Sequence, residues 1–193
     1  HKVQTIRIPR QEILEVVAEI FRKIGTSRSD ALSVASSLVD ADLAGHPSHG
    51  VMRTIEYVNF VEQGMVLPSA KPEVISNKGG VVVIDAKWGW GQIACKKAVD
   101  LAKQKVREFG IASVVIKSCS HIGRLGEYME MVAREKLISL MWCNAGSAVA
   151  PIGGKARILG TNPFAAGIPT DTDNIVLDFA TAGIAEGKLR IAY

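Results

Sequence analysis

Apolar residues recur at helical spacing near the start of the chain. Ile13, Leu14, Val17, Phe21 and Ile24 fall on one face, Pro9 opens the run and Gly25 closes it. Ser27, three residues before Asp30, resembles a capping box with Asp in place of the usual Glu or Gln. The helix it starts carries Leu32, Ala35, Leu38, Val39 and Leu43 on its apolar side and ends at Gly45. A third helix is predicted from about Val51 to Gln63, with Gly64 as its stop. Residues 1–68 thus form a helical N-terminal unit.

The pattern changes after Pro68. Lys71-Pro72 favours extended backbone. Val74-Ile75, the turn Asn77–Gly80 and Val81–Asp85 predict strand, turn and strand. A helix from about Ile93 to Phe109 follows, then a strand over Ile111–Lys117, a helix through about Glu135 and a strand over Leu137–Trp142. Phe164–Pro169 and Ile175–Asp178 read as further strands. Alternating strands and helices point to an α/β domain over 69–193. Hairpin-like turns near Gly79 and Asp171–Asn174 predict a mixed rather than purely parallel sheet.

Composition narrows the class. The chain has 193 residues, 48% of them hydrophobic. Mean hydropathy is +0.18, so a sizeable core is expected and disorder is not. The net charge of +4 comes from scattered basic residues with no aromatic-interleaved stripe, which argues against nucleic acid as a partner. A mild positive field suits small anions. Cys95, Cys119 and Cys143 are odd in number and far apart; a disulfide framework or zinc knuckle is not expected, and a reducing compartment is. No signal-peptide pattern or membrane-length apolar run occurs, so the expectation is a soluble cytoplasmic protein.

The candidate chemistry centres on Gly45–Tyr57. If the third helix begins near His49, then His49, Arg53 and Tyr57 stack at i, i+4 and i+8. Arg53 is suited to grip a carboxylate with its two-pronged fork. An imidazole such as His49 exchanges protons near neutral pH. His46 and His49, three apart across Pro47, are a poor metal pair. His121 follows one strand and precedes a helix, a place where α/β sheets gather ligands. Gly89-x-Gly91 lacks the third glycine of the dinucleotide fingerprint, with Ala94 in its place, so a standard Rossmann site is rejected. Gly160–Pro163 and Asp178–Gly183 offer amides and hydroxyls to a phosphate or an amide.

Several segments together resemble the type II malate/L-lactate dehydrogenase family, which includes sulfolactate, ureidoglycolate and 2,3-diketogulonate dehydrogenases and cyclic-imine carboxylate reductases. They are Ala41–Gly50 with Arg53 and Tyr57, Gly89–Gln92, Ser120–Gly123, Ala150–Gly154, Gly160–Pro163, and Asp178–Thr181 ending in Gly187-Lys188. The resemblance implies an α/β fold with a helical N-terminal unit packed on a mixed, non-Rossmann sheet domain. It implies an oxidoreductase using NAD or NADP on a small 2-hydroxy or 2-oxo acid, with no metal, in a homodimer whose active site lies between domains. Carried over by position, Ser48, Arg53 and Tyr57 face the substrate, and His49 and His121 share the acid/base role. Asn144, Ala145, Thr161, Asn162, Phe179, Ala180 and Thr181 would contact the cofactor. Phe179 stands where the family commonly has Met, and family chains continue past Tyr193, so a C-terminally truncated chain is expected. The rival readings are a metal-dependent hydrolase using His46, His49 and His121, and a truncated, non-catalytic binding module.

Overall fold

A computed structural model of the chain describes residues 7–183; the Gly187-Lys188 segment lies outside the described residues. The elements are α1 (Arg10–Lys23), α2 (Arg28–Leu43), a 3-10 turn at Pro47–His49, α3 (Arg53–Glu62), β1 (Glu73–Lys78), β2 (Val81–Asp85), α4 (Gly91–Phe109), β3 (Ser113–Lys117), α5 (Leu125–Ala133), β4 (Ser139–Trp142), β5 (Ser147–Val149), β6 (Leu159–Gly160), β7 (Phe164–Ile168) and β8 (Ile175–Phe179). The class is α/β, as the pattern predicts. The strands divide among three small sheets, ordered β1-β2-β3, β4-β7-β8 and β5-β6. Among the described residues, no helix is long and apolar enough to cross a membrane.

By contacts, the chain forms two compact units. Among the described residues, one holds 7–75, 84–94 and 116–123; the other holds 76–83, 95–115 and 124–183.

In the first unit, α1 buries Leu14, Val17, Ala18 and Phe21, and α2 contributes Ala31, Val34, Ala35, Leu38 and Val39 to the same core. Tyr57, Val66 and Trp90 complete it. Ser27 caps α2 as its spacing predicts, accepting from the Asp30 amide at 3.3 Å. The Asp30 carboxylate is held by Lys71. Ala35, Leu38 and Val39 are buried as expected, while Leu32 and Leu43, expected on the same side of α2, are exposed; Ala31 and Val34 are buried in addition. Ser27→Ala should cost about 1 kcal/mol of stability, because a first-turn amide loses its acceptor; a urea melt checks this.

The third helix forms close to its expected span, but it does not reach back to His49. Pro47–His49 form a separate 3-10 turn, and Gly50 is extended (φ −88°, ψ −158°), so the helical path breaks there and α3 starts only at Arg53. His49 therefore does not continue the α3 face that carries Arg53 and Tyr57.

In the second unit, β4, β7 and β8 form an antiparallel sheet in which Ala165 pairs with Met141 and Asp178. Packing at Gly167 is tight, with a Cβ there lying 2.8 Å from the Met129 carbonyl oxygen of α5. The Asp178 carboxylate accepts from the Gly126 amide at 2.7 Å, compensating one of the unpaired N–H groups that open α5.

Candidate active site

The first unit gathers one set of side chains around the 3-10 turn. The turn is fixed from α2: the Asp42 carboxylate accepts from the Val51 amide at 2.8 Å. Burial raises the Asp42 pKa, and the Val51 amide opposes that rise. A Cβ on Gly50 would lie 2.0 Å from Asp42 Oδ1, so glycine is what allows this carboxylate to reach across.

Ser48 is buried, and its Oγ lies 3.1 Å from His49 Nδ1. Arg53 donates through Nε to the Ser48 carbonyl at 2.7 Å and pairs through Nη1 with Glu56. Two edges of the guanidinium are thus anchored to protein. Its Nη2 makes no hydrogen bond among the described residues and is the part left for an anionic ligand.

His121 reaches the same place from the segment after β3. Its ring lies 5.7 Å from that of His49, nearly parallel at 16°. Its Nδ1 is 2.7 Å from the Tyr57 hydroxyl and accepts from the Gly123 amide at 3.3 Å. Withdrawal from solvent lowers the His121 pKa to about 3, with Arg53 and His49 pushing the same way and Glu56 opposing. The ring is therefore neutral at physiological pH.

Tyr57 lies deeper. It is only 2% exposed, and its hydroxyl accepts from Gln92 Nε2 at 2.8 Å. Gln92 is fully buried and sits at the start of α4. The Gly89–Gln92 motif, which fails as a dinucleotide fingerprint and is one of the segments that carry the family resemblance, braces this region. Trp90 donates to Thr26 at 2.9 Å. Ser120 Oγ accepts from the Gly91 amide at 3.0 Å and donates to the Gly89 carbonyl at 2.6 Å. A Cβ on Gly91 would meet the His121 carbonyl at 2.4 Å, so α4 can approach the His121 segment only through a glycine. Gln92 and Ser120 were missed by spacing arguments, since neither belongs to a recognisable ligand or acid/base pattern.

Ser48, His49, Arg53, Tyr57 and His121 are thus brought together, with Ser48 and Tyr57 buried and Arg53 and the two imidazoles half-buried. No group of three or more His, Cys, Asp or Glu residues suited to a metal occurs among the described residues.

The second unit gathers the other set. Asn162 Oδ1 accepts from the Ala145 amide at 3.0 Å. Thr181 donates its amide to the Thr161 carbonyl at 2.9 Å and its hydroxyl to the Thr161 and Asn162 carbonyls at 3.0 and 3.1 Å. The loops after β4 and β8 are in this way tied to the one before β7. Beside them, Trp142, Phe164 and Phe179 occupy paired positions on β4, β7 and β8. Their ring centroids are 5.7 and 5.8 Å apart at steep angles. Trp142 is 66% exposed and Phe179 45%. An aromatic row exposed at both ends, beside small, hydroxyl-bearing loops, is a surface that could hold a flat heteroaromatic ligand with polar substituents.

Residues 8–193 match the family described as malate/L-lactate dehydrogenase. Malate dehydrogenase of Pyrococcus abyssi is 38% identical over 96% of this chain and 51% of its own length. L-sulfolactate dehydrogenase of Methanocaldococcus jannaschii is 35% identical over 91% of this chain and 51% of its own. Among solved structures, malate dehydrogenase of Pyrococcus horikoshii OT3 superposes with a TM-score of 0.91 at 37% identity, covering 96% of this chain and 53% of that one. The chain spans about half the length of the curated relatives it matches. It belongs to the malate/L-lactate dehydrogenase family.

Proposed function

We propose, from membership of this family, that the protein of which this chain forms part transfers a hydride between the nicotinamide of NAD or NADP and a small 2-hydroxy or 2-oxo acid. The observation that carries the reading is the convergence of Arg53 on two imidazoles, His49 and His121. Bound nicotinamide supplies or accepts the hydride. Thr161, Asn162, Thr181, Asn144, Ala145, Ala180 and Phe179 are the residues we assign to holding it.

The chain's own residues do the rest. Arg53, fixed by Ser48 and Glu56, offers its remaining N–H groups to the substrate carboxylate. Charge-assisted bonds from a guanidinium that is already anchored hold the anion with little further loss of freedom. That fixes the neighbouring carbon, and positioning of this kind lowers the barrier. An imidazole exchanges the hydroxyl proton. Buried Tyr57 acts on the substrate through His121. A homodimer in the cytoplasm completes the proposal and is supported by the resemblance of the sequence motifs alone.

The test is a panel of 2-oxo acids with NADH and NADPH on the full-length protein. Arg53→Ala should raise KM for the 2-oxo acid on the order of 10²-fold, the size of one charge-assisted contact or a little more. KM for the cofactor should stay nearly constant. Equal rises in both constants would remove Arg53 from carboxylate binding.

A further inference from the structure

The hydrogen bonds behind His121 have a direction. The Gly123 amide lies 3.3 Å from His121 Nδ1, and an amide N–H can only donate. Nδ1 therefore keeps its lone pair, and the proton of the neutral ring sits on Nε2. The Tyr57 hydroxyl, 2.7 Å from the same Nδ1, must then donate to it as well. That leaves the Tyr57 oxygen to accept from Gln92 Nε2 at 2.8 Å. Gln92 is wholly buried, and its Oε1 has no hydrogen-bond partner among the described residues. A buried amide that leaves its own carbonyl orphaned while serving a phenol is an expensive feature for packing alone.

We propose that Gln92, Tyr57 and His121 form a proton relay, in which His121 delivers its Nε2 proton to the substrate carbonyl oxygen while the Tyr57 proton moves onto Nδ1 and Gln92 holds the resulting phenolate. The proposal rests on the dehydrogenase reading given above. In the reducing direction, hydride arrives at the carbonyl carbon from reduced nicotinamide and the C=O π pair passes to oxygen. That oxygen bonds to the Nε2 proton, and the N–H pair stays on the ring. Nδ1 bonds to the Tyr57 proton, and the O–H pair stays on the phenol. His121 ends neutral with its proton on Nδ1, and Tyr57 ends as phenolate; once product has left, Nε2 takes up a proton from solvent and the Nδ1 proton returns to Tyr57. Oxidation of the hydroxy acid runs the same steps backwards.

The electrostatics favour this route. A ring whose pKa is held near 3 carries no spare proton at neutral pH, so an imidazolium donor is not available. A phenol is a far better proton source than a neutral imidazole left to form an anion. The charged and titratable groups facing the relay are Arg53 and Glu56 from α3 and His49 from the 3-10 turn. Tyr57 and Gln92 are positioning residues, since both act through His121.

The experiment uses the full-length protein labelled with nitrogen-15 in histidine, with His121 assigned by the signal lost in His121→Gln. At pH 7 the wild type should show an unprotonated Nδ1 and a protonated Nε2. In Tyr57→Phe the tautomer should persist, because the Gly123 amide still donates to Nδ1, so a rate loss there reports the missing phenol and not a changed ring. Single-turnover reduction of a 2-oxo acid should slow by about 10²-fold in Tyr57→Phe and about tenfold in Gln92→Leu, within the range of acid–base contributions. The proton inventory in mixed light and heavy water should be bowed in the wild type, for two protons in flight, and linear in Tyr57→Phe. A protonated Nδ1 in the wild type overturns the relay without any variant needing to fold, and so does a linear wild-type inventory. If the wild type reduces no 2-oxo acid, the dehydrogenase reading fails, and the tautomer spectrum still decides the order of the hydrogen bonds.

Discussion

Gly91→Ala should lose about 3 kcal/mol of stability, the upper part of the range for overpacking a tight contact, and should slow hydride transfer on the order of 10²-fold. The added Cβ would lie 2.4 Å from the His121 carbonyl oxygen and 2.6 Å from that of Ser120. Both are backbone atoms, so no rotamer change relieves the contact. Either α4 or the 118–123 segment must withdraw. In withdrawing it gives up the Gly91–Ser120 hydrogen bond and moves Gln92 away from Tyr57. Thermal melts give the stability loss and single-turnover kinetics the rate loss. Gly146→Ala is the control, because nothing lies within 4 Å of its Cβ position; its stability should stay within about 0.5 kcal/mol of the wild type. Equal effects at the two glycines would show that the close approach at Gly91 does not constrain the site.

The second large effect is expected at Gly50, and here the obstacle is a side chain. A Cβ would stand 2.0 Å from Asp42 Oδ1 and 2.3 Å from Cγ. The carboxylate can swing aside only by abandoning the Val51 amide. Gly50→Ala should therefore cost about 2–4 kcal/mol, combining overpacking with a charged hydrogen bond lost in a partly buried place. A double-mutant cycle separates the two contributions. In an Asp42→Ala background the same substitution should cost less than about 1 kcal/mol, giving a coupling within the range seen for touching residues. Additive costs would mean that Asp42 and Gly50 do not restrain the 3-10 turn together. Because that turn carries Ser48 and His49, Gly50→Ala should also weaken substrate binding.

Local signals were the legible part of this chain. Ser27 caps α2 from three residues away, and α1 buries the Leu14–Val17–Phe21 face that its spacing predicts. These features depend on neighbours in sequence, which is where periodicity carries information. The 3-10 turn was less legible: His49, Arg53 and Tyr57 fit a single helical face by count, but Asp42 from the preceding helix pulls Gly50 and Val51 out of that path. The depth of Tyr57 was illegible for a similar reason. Its spacing from Arg53 and the family resemblance set it among substrate-facing residues, and neither shows that Phe21 and Trp90 close over its ring. Gln92 lies 35 residues from Tyr57, and Tyr57 lies 64 from His121. No pattern within one element encodes such contacts. Family resemblance named His121 and Arg53 but could not show which nitrogen of His121 faces Tyr57.

The Tyr57 ring is flanked by Phe21, Phe60 and Trp90, with centroids 6.1, 6.4 and 5.7 Å away, while its oxygen touches His121. On the proposed relay, one side chain therefore belongs to the core and to the chemistry at once. For anyone engineering this scaffold, thermostability and turnover are not independent design variables here. Repacking around Phe21 to raise a melting temperature also re-aims a phenol, and a library selected for heat resistance alone will accumulate variants whose defect is in proton delivery. Compensating substitutions for such variants should be sought in the helical core as readily as beside the substrate.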